Sequence, residues 1–483
     1  MKAIPKEQVI RRIQAENVWW VGDHRIPDVY NGYRKRAYFG LFFPLVKETA
    51  VRRAVLLMGP RRVGKTVLVH HAIRELITEG IDPKSCCYLS VDHPLYNGCG
   101  LEELVEYSMA ASGVDPASSR KYIVFDEIQY LKNWEVHLKS LVDRHPEIRF
   151  IASGSAAAAL RMKSTESGAG RFTDFILPPL TFHEYLDLLG QSELVDTGTP
   201  SPFYQTRDIE ALNARFLDYL NYGGYPEVIF SETIRSDPAR YIKSDIIDKV
   251  LLRDLPSLYG IHDIQELNYL FTSLAYNTGN EVSLDELAKN SGVAKNTIKR
   301  YMEYLEAAFL IKIVHRIDRN SRRFVRANFF KVYLTNPSIR SALFSPIVET
   351  DENMGGMAET GIFSQWFHTG VPNLYYARWR QGEVDIVNLD AQSKPIWAVE
   401  VKWTDRYASR PNELKTLIDY CDHNGLKDVA VTTRTKHAEF DSGDLKISFV
   451  PASIYCFTVG YNLIMGRNRQ RPAQKSSWPK PLE

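Results

Sequence analysis

The stretch Gly59-Pro60-Arg61-Arg62-Val63-Gly64-Lys65-Thr66 matches, at every fixed position, the glycine-rich loop pattern that cradles nucleotide phosphates. The apolar run Ala54–Met58 precedes the loop and predicts a buried strand, while residues 67–79 have the pattern of a helix. Backbone N–H groups of such a loop, together with the positive end of the helix, favour a bound anion. Strand, loop and helix in this order predict a nucleotide-binding site.

Each polar group of this loop has an expected role in binding ATP with Mg²⁺. Lys65 is long enough to reach the terminal phosphates, and we include it among the catalytic residues. The Thr66 hydroxyl is a suitable Mg²⁺ ligand. The other loop residues and the first helical residue would surround the phosphates: Gly59, Pro60, Arg61, Arg62, Val63, Gly64 and Val67.

The length and composition of the chain indicate a multidomain globular protein. Its 483 residues exceed one ordinary hydrophobic core and suggest about three domains. The formal net charge is +2, so any contact with nucleic acid depends on a local basic patch. The sequence shows no apolar run typical of a signal peptide or a membrane span, and we therefore predict a cytoplasmic protein without a membrane partner.

A pair of carboxylates follows the apolar run Lys121–Phe125. Asp126 and Glu127 stand at the end of this predicted strand. Carboxylates at the mouth of a buried strand, downstream of a phosphate loop, are what Mg²⁺-assisted hydrolysis needs. We assign Asp126 to the metal and Glu127 to the attacking water. The alternative is an ordinary acidic turn at the end of a strand.

Two further residues are candidates for contact with the nucleotide. Ser153 follows the predicted strand Arg149–Ala152 and would lie beside the carboxylates of the neighbouring strand if the sheet is parallel. It either senses the γ-phosphate or caps the following helix, and the two roles are compatible. Arg171 either acts as a finger on the nucleotide of a neighbouring subunit or is an ordinary solvated side chain.

In their order along the chain, these motifs resemble prokaryotic AAA+-type P-loop ATPases that carry a winged helix and a C-terminal PD-(D/E)xK domain of restriction-endonuclease-like fold. The resemblance rests on G-P-R-R-V-G-K-T at 59–66, I-V-F-D-E-I-Q at 123–129, A-S-G-S at 152–155, G-R at 170–171, L-P-P-L-T-F-H-E-Y-L at 177–186 and N-Y-G-G-Y-P-E at 221–227. It covers nearly the whole chain after about residue 50. It implies an α/β protein: a parallel ATPase sheet with a small helical lid, then a winged helix-turn-helix, then an α/β nuclease-like domain.

The middle of the chain has the pattern of a winged helix-turn-helix. Ser283 and Glu286 form a capping box that starts one helix, Gly292 marks a turn, and residues 295–308 form a second amphipathic helix. Basic and polar residues line the exposed side of the second helix and the segment after it: Lys295, Asn296, Lys299, Arg300, Arg316, Arg319, Arg322, Arg323 and Arg326. These charges either contact DNA phosphates as a recognition helix and basic wing, which we favour, or are the solvated face of a rigid spacer.

A third group of polar residues is similar to the PD-(D/E)xK nuclease signature. Asp385 stands in one predicted strand, Glu400 and Lys402 in the next, and a preceding helix carries Glu359. Strand alternation puts Glu400 and Lys402 on one face, where Asp385 can meet them. Asp385 and Glu400 would share a Mg²⁺, Glu359 would bind a second ion or hold the first shell, and Lys402 would activate water. The alternatives are exposed charges on an edge hairpin, or a domain that binds nucleic acid without cutting.

The sequence thus predicts an ATP-hydrolysing protein that acts on DNA, with ATP and Mg²⁺ as cofactors and a metal-dependent nuclease-like domain under ATPase control. A homo-oligomer would let Arg171 act in trans. The alternative is a nucleotide-driven regulatory switch whose nuclease-like domain binds nucleic acid or a protein partner without cutting. The expected segments are a lead-in (1–50), the ATPase core (51–182), a helical lid and linker (183–260), the winged helix (261–345), the nuclease-like domain (346–465) and a flexible tail (466–483).

Overall fold

The computed structural model describes residues 4–114, 120–154, 170–198, 203–323, 328–366 and 374–468. The chain divides into two compact units, Met1–Leu177 and Pro178–Glu483. This division lies close to the predicted end of the ATPase core at residue 182. Each unit has a β-sheet of its own.

The first unit is built on a five-stranded sheet in which all neighbouring strands are parallel. Its strands are β1 (Ala54–Met58), β2 (Cys86–Ser90), β3 (Lys121–Asp126), β4 (Ile148–Gly154) and β5 (Phe172–Ile176), in the spatial order β2-β3-β4-β1-β5. β1 is apolar and buried along its whole length, as expected for a central strand of a parallel sheet. The sheet confirms the predicted α/β class of the ATPase core.

The helices of the first unit are α1 (Lys6–Glu16), α2 (Asp28–Asn31), α3 (Phe39–Lys47), α4 (Lys65–Thr78), α5 (Leu101–Ser112) and α6 (Trp134–Arg144). α4 begins inside the phosphate loop, two residues before the predicted start of the helix. α5 begins where the Glu103 carboxylate accepts the Gly100 N–H at 2.9 Å, and it ends at Gly113, whose φ of 66° is the left-handed conformation typical of helix ends.

The N-terminal segment, the lead-in of the sequence analysis, packs on this sheet. The indole N–H groups of Trp19 and Trp20 both donate to the Cys86 carbonyl, at 3.0 and 2.8 Å. Asn17 pairs with the backbone of Tyr88 in both directions, at 2.7 and 2.9 Å. Because β2 is the edge strand of the sheet, Asn17 satisfies backbone groups that a further strand would otherwise pair.

The second unit contains a nine-stranded sheet. Its strands are β6 (Glu281–Ser283), β7 (Ile311–Ile317), β8 (Phe329–Leu334), β9 (Leu374–Trp379), β10 (Gly382–Leu389), β11 (Pro395–Glu400), β12 (Asp428–Thr433), β13 (Ala438–Ser442) and β14 (Leu445–Pro451), in the order β13-β14-β12-β11-β10-β9-β7-β8-β6. A short parallel pairing of β7 with β9 joins strands β6 to β8 and strands β9 to β14 into this one sheet. The segments 261–345 and 346–465, predicted as separate domains, therefore contribute strands to one sheet.

The helices of the second unit are α7 (Phe182–Leu188), α8 (Ile209–Tyr222), α9 (Pro226–Phe230), α10 (Glu232–Ser236), α11 (Pro238–Tyr241), α12 (Leu255–Tyr259), α13 (Ile264–Tyr276), α14 (Leu284–Ser291), α15 (Lys295–Ala307), α16 (Ser338–Leu343), α17 (Met354–Ser364), α18 (Arg406–Ser409), α19 (Lys415–Asn424) and α20 (Ala452–Asn468). The predicted cap of α14 is confirmed, because the Ser283 hydroxyl accepts the Asp285 and Glu286 N–H groups at 3.2 and 3.4 Å. Gly292, with φ of 71°, makes the turn between α14 and α15.

The structure adds detail to the predicted lid and to the predicted start of the tail. Within the helical lid and linker (183–260), π-helical turns at Ile242–Ile247 and Val250–Asp254 precede α12. α20 continues to Asn468, two residues beyond the predicted start of the tail at 466, because its apolar residues are buried. Residues 469–483 lie outside the described residues.

The sheet of the second unit has an apolar core on each face. Ile386 and Val399 belong to a core with residues of α7, α8, α17 and α20, whereas Val387 and Ala398 belong to a core with residues of α19. Adjacent strand residues point to opposite faces, so the two cores lie on opposite sides of the sheet. Among the described helices, none combines the length and apolar character that crossing a membrane requires.

Candidate functional site

The phosphate loop of the first unit requires glycine at two positions. A Cβ added at Gly59 would lie 2.1 Å from the Leu177 carbonyl oxygen, so the backbones approach too closely for any side chain. Gly64 has φ of 90°, a left-handed conformation that favours glycine. The Lys65 ammonium donates to the carbonyl oxygens of Gly59 and Pro60 at 3.0 and 2.8 Å. The loop thus folds back over its own lysine at the start of α4.

Asp126 is the centre of the polar groups beside this loop. Its carboxylate accepts hydrogen bonds from Thr66 and Tyr88 on Oδ2, at 2.8 and 2.7 Å, and from the Ser153 hydroxyl on Oδ1. Asp126 is 2% exposed. The predicted Mg²⁺ ligands Thr66 and Asp126 are therefore in direct contact, and a hydroxyl beside a carboxylate is a donor set that suits Mg²⁺.

Glu127 follows with a backbone conformation that is unusual for its residue type. Its φ of 57° lies in the left-handed region, which costs a non-glycine residue about 1–3 kcal/mol, and residues with such strain cluster at active sites. The Glu127 N–H donates to Ser153 Oγ at 3.4 Å, and Gln129 donates to the Glu127 carboxylate. Ser153 thus links the Asp126 carboxylate to the backbone of Glu127. Ser155, the last residue of the A-S-G-S motif, lies outside the described residues.

Three residues that the sequence analysis did not identify also surround this site. Tyr88 on β2 binds Asp126, and the buried Arg36 donates to the Val63 carbonyl of the loop at 3.0 Å. His70 lies on α4 with Nδ1 2.8 Å from the Thr66 carbonyl oxygen, and burial lowers the pKa of His70 to about 4. The contacts of Tyr88 and Arg36 depend on the spatial order of the strands and on the packing of the N-terminal segment, which local sequence patterns do not show. The His70 contact, in contrast, lies within one turn of α4.

Arg171 is not brought to the phosphate loop of its own chain. It directly precedes β5, and its carbonyl accepts the Ala54 N–H at 2.8 Å at the start of β1. The phosphate loop follows the other end of β1, roughly 16 Å away at the usual rise of a strand. The Arg171 side chain pairs with Asp143 at 2.5 Å. Arg171 could therefore contact only a nucleotide that is bound to a neighbouring subunit.

The second candidate site is formed where β10 and β11 are adjacent. Their register places Asp385 opposite Glu400, and the Lys402 ammonium lies 2.6 Å from Glu400 and 3.6 Å from Asp385. The Val401 N–H donates to Asp385 at 2.8 Å. Thr432 on β12 hydrogen-bonds the backbone N–H and carbonyl of Lys402, both at 2.8 Å, and fixes the segment after β11. The predicted trio is therefore in mutual contact.

A buried lysine from another strand enters this site and was missed in the sequence. Lys331 on β8 lies 3.0 Å from Glu359 on α17, 2.7 Å from Glu383 and 3.5 Å from Asp385. The Tyr333 hydroxyl, two residues along β8, donates to Glu359. One signal was available: Lys331 is the only charged residue in Phe329–Leu334, and a charge in an apolar strand requires partners.

The electrostatics of the Asp385–Glu400 pair favour an additional cation. Burial and the adjacent Asp385 charge raise the pKa of Glu400, whereas the two lysines and the Val401 N–H outweigh burial and lower the pKa of Asp385. Glu400 Oε2 is buried and has no hydrogen-bond partner within the described part of the chain. A divalent cation would satisfy this oxygen. No group of three or more His, Cys, Asp or Glu side chains suited to a metal was found among the described residues, so the donor set would be completed by other ligands.

The predicted basic wing is largely engaged within the second unit. Arg316 donates to the Arg378 carbonyl at 3.1 Å, Arg319 pairs with Asp419 at 2.5 Å, and Arg323 stacks over an aromatic ring. Arg326 lies outside the described residues. Each of these three side chains therefore has a partner in the same unit, whereas Arg322 is exposed. Contact of this segment with DNA stays a prediction. The polar side of α15 is exposed: Lys295, Asn296, Lys299 and Arg300.

Comparison with family models identifies two segments of the chain. Residues 51–186 match the model described as "AAA domain". Residues 213–350 match a model described as "Domain of unknown function (DUF8612)". The first match contains the phosphate loop, both carboxylates of the first site and β1 to β5.

Curated relatives align with most of the chain at low identity. An uncharacterized protein of Haemophilus influenzae is 25% identical over 292 residues, which cover 59% of this chain and 68% of that protein. An uncharacterized protein of Mycobacterium tuberculosis is 27% identical over 383 residues, covering 77% of this chain and 75% of that protein.

Among solved structures, AMPPCP-bound DnaA from Aquifex aeolicus covers 57% of this chain and 90% of its own, with a TM-score of 0.28 and 13% identity. A TM-score this low does not indicate that the whole chains share a fold. The family match and the parallel sheet with its phosphate loop agree with each other. Residues 51–186 form an AAA-type ATPase domain that binds nucleotide.

Proposed function

We propose that this protein is an ATP-hydrolysing enzyme that acts on DNA, with its ATPase domain controlling a Mg²⁺-dependent nuclease in the second unit. The observation that carries the proposal is the contact among Asp385, Glu400 and Lys402 on adjacent strands, with one buried carboxylate oxygen lacking a partner. Two carboxylates and a lysine in this arrangement suit metal-assisted phosphodiester cleavage.

In the ATPase domain, Lys65 would exchange its two loop carbonyls for the β- and γ-phosphates. Thr66 and Asp126 would hold Mg²⁺, which neutralises phosphate charge when bound. Glu127 would orient and polarise the attacking water. The Ser153 hydroxyl accepts the Glu127 N–H and so keeps Glu127 beside Asp126. In an oligomer, Arg171 would reach the nucleotide of a neighbour after leaving Asp143.

In the second unit, Asp385 and Glu400 would hold the metal, and Lys402 would position the water that attacks the phosphodiester. The ammonium of Lys402 already contacts both carboxylates, so its position is fixed relative to the proposed ion. The register of β10 against β9 shifts between Val384 and Val387, next to Asp385. Such irregularities re-aim side chains beside functional sites.

Contact with DNA would come from the predicted winged helix at 261–345, mainly through the exposed side of α15. Lys299 and Arg300 are exposed there. Lys295 also pairs with Asp285, so part of its charge is already compensated. Binding through phosphates would weaken as salt increases. The lid (183–260) and nuclease-like region (346–465) remain proposed functional segments of the same unit.

A cleavage assay separates this function from the alternative of a non-cutting regulatory switch. Supercoiled and linear DNA are incubated with the full chain, Mg²⁺ and ATP, beside Asp385→Asn, Lys65→Ala and the control Glu439→Gln, an exposed carboxylate of β13. Cleavage by wild type and control, lost in Asp385→Asn, is the expected result. Absence of cleavage with ATP hydrolysis intact would favour the switch. Cleavage that persists in Asp385→Asn would point to a contaminating nuclease.

A further inference from the structure

Lys331 is the most deeply enclosed cation of the second candidate site. It is 3% exposed, on a strand that the sequence places in the winged-helix region rather than in the nuclease-like region. Its ammonium contacts Glu359, Glu383 and Asp385 at 3.0, 2.7 and 3.5 Å. A buried ammonium is costly unless it is paired, and here three carboxylates converge on it.

The pairing of the charges around Lys331 is uneven. Glu383 has a second cation, Arg378, at 3.1 Å. Glu359 has a second hydrogen bond, from the Tyr333 hydroxyl. Asp385 contacts both Lys331 and Lys402, at 3.5 and 3.6 Å, whereas Lys402 is the one ion-pair partner of Glu400 among the described residues. Glu400 is therefore the least satisfied carboxylate of this cluster, with one ion pair and one buried oxygen that has no hydrogen-bond partner among the described residues.

The contacts of the individual carboxylate oxygens lead to the same conclusion. Asp385 Oδ2 accepts the Val401 N–H at 2.8 Å, and Asp385 Oδ1 faces Lys331. Glu400 Oε1 faces Lys402, and Glu400 Oε2 lacks a partner within the described residues although Glu400 is only 9% exposed. Glu359 Oε1, in contrast, is occupied by both Lys331 and Tyr333. The place for an added cation is beside Glu400.

We propose that Lys331 is a built-in cation that keeps Glu359 and Glu383 from binding metal, so that the Asp385–Glu400 pair takes a single divalent ion. Lys331 is thus a positioning residue: it occupies the place of a second ion and ties the β8 strand to the metal site. This inference rests on the proposed metal site and replaces the expectation that Glu359 binds a second ion. It requires no assumption about which polymer is cut.

The test counts ions rather than cleavage. Mn²⁺ binding to the nucleotide-free full chain is measured by equilibrium dialysis and by the electron paramagnetic resonance signal of free Mn²⁺. The double variant Asp385→Asn/Glu400→Gln gives the background from the rest of the chain. We expect wild type to bind one Mn²⁺ above this background, and Lys331→Met to bind two. Adding Glu359→Gln to Lys331→Met should return the count to one, and Lys331→Arg should keep one.

A separate variant keeps the proposal testable if Lys331→Met does not fold. Glu359→Gln alone, with Lys331 in place, is expected to keep one Mn²⁺ per chain, because Glu359 is not a ligand. Loss of the ion in Glu359→Gln, two ions or none in wild type, or a folded Lys331→Met with one ion would each overturn the proposal. A chain that binds one Mn²⁺ in wild type and two in Lys331→Met but cuts no DNA would refute the nuclease function and leave the role of Lys331 intact.

Discussion

Asp126 in the first unit and Asp385 in the second are both nearly inaccessible carboxylates, 2% and 8% exposed, yet their surroundings differ in kind. Asp126 is surrounded by neutral hydroxyl donors from Thr66, Tyr88 and Ser153. Asp385 lies between two lysines and opposite a second carboxylate. Hydroxyls hold a carboxylate in place without cancelling its charge, whereas ammonium groups cancel it.

This difference between hydroxyl and ammonium partners matches the charge of the ligand that each site would bind. The first site would bind a nucleotide together with its metal, and the phosphates bring their own negative charge, which Lys65 at the loop offsets. The second site would bind a metal before a phosphodiester, so its carboxylates must be stable without any ligand. Lysines between the carboxylates provide that stability.

Glu127→Gln should have the largest effect on activity. The amide keeps the shape of the side chain but cannot accept a proton, so we expect ATP hydrolysis to fall by about 10²- to 10⁴-fold while ATP still binds. Steady-state phosphate release and the affinity for a fluorescent ATP analogue measure the two quantities. Glu106→Gln, an exposed position on α5, is the control. Undiminished hydrolysis would mean that Glu127 does not act on the attacking water.

Lys331→Met should have the largest effect on stability. It leaves Glu359 buried without its ammonium, which typically costs about 3–5 kcal/mol. Urea unfolding at neutral pH measures the change. Lys312→Met on the neighbouring strand β7 is the matched control, because its ion pair with Glu306 is exposed and worth about 1 kcal/mol or less. If both variants lose equal stability, Lys331 does not stabilise the buried carboxylates of the second site more than a surface lysine stabilises its partner.

Lys65→Ala should weaken the binding of ATP, an effect smaller than the two above. Removing charge-assisted hydrogen bonds to phosphates costs about 1.5–3 kcal/mol, so the Kd for ATP should rise by roughly 10- to 150-fold. Isothermal titration calorimetry measures the affinity, with Lys84→Ala, an exposed lysine of the same unit, as control. Together with Glu127→Gln, this variant separates binding from hydrolysis in the first site. Unchanged affinity would argue that the loop lysine keeps its backbone contacts when ATP is bound.

The first site could be predicted more completely than the second because its residues lie on two local motifs. The phosphate loop and the Asp126-Glu127 pair each follow a buried strand, and in a parallel sheet the ends of those strands meet at one edge. Tyr88 could not be assigned from the sequence, because its contact with Asp126 depends on β2 being adjacent to β3. Strand order is a tertiary property.

The second site shows a different limit. Asp385, Glu400 and Lys402 come from one hairpin, and their contact follows from the register of two consecutive strands. Lys331 comes from a strand over fifty residues earlier, which the sequence assigns to another domain. The pairing of β7 with β9 brings that segment into the same sheet, and no periodicity in the sequence indicates such a pairing. The lone charge in β8 was the only local sign.

Asp405 tests the comparison within the second unit, because it is held by neutral donors as Asp126 is. Its carboxylate accepts the N–H groups of Arg434, Thr435 and Lys436 at 3.1, 2.8 and 3.1 Å, and the Thr435 hydroxyl at 2.6 Å. Partial burial alone would raise the pKa of Asp405, but these hydrogen bonds outweigh it and lower the pKa below its ordinary value.

The smallest effect is therefore expected for Asp405→Asn, and it should depend on pH. A carboxyl group with a lowered pKa stabilises the fold above its unfolded value of about 3.9, and this contribution disappears as pH falls through the folded value. Because Asp405 is partly exposed, we expect a loss of at most about 1 kcal/mol at pH 7 and almost none well below the unfolded value. Urea unfolding across this pH range, with Asp441→Asn on β13 as control, measures the difference. If Asp405→Asn loses the same stability at all pH values, the loss comes from packing and not from the charge of Asp405. In that case, hydrogen bonds from neutral donors would not explain how a carboxylate without a lysine partner is stabilised in this chain.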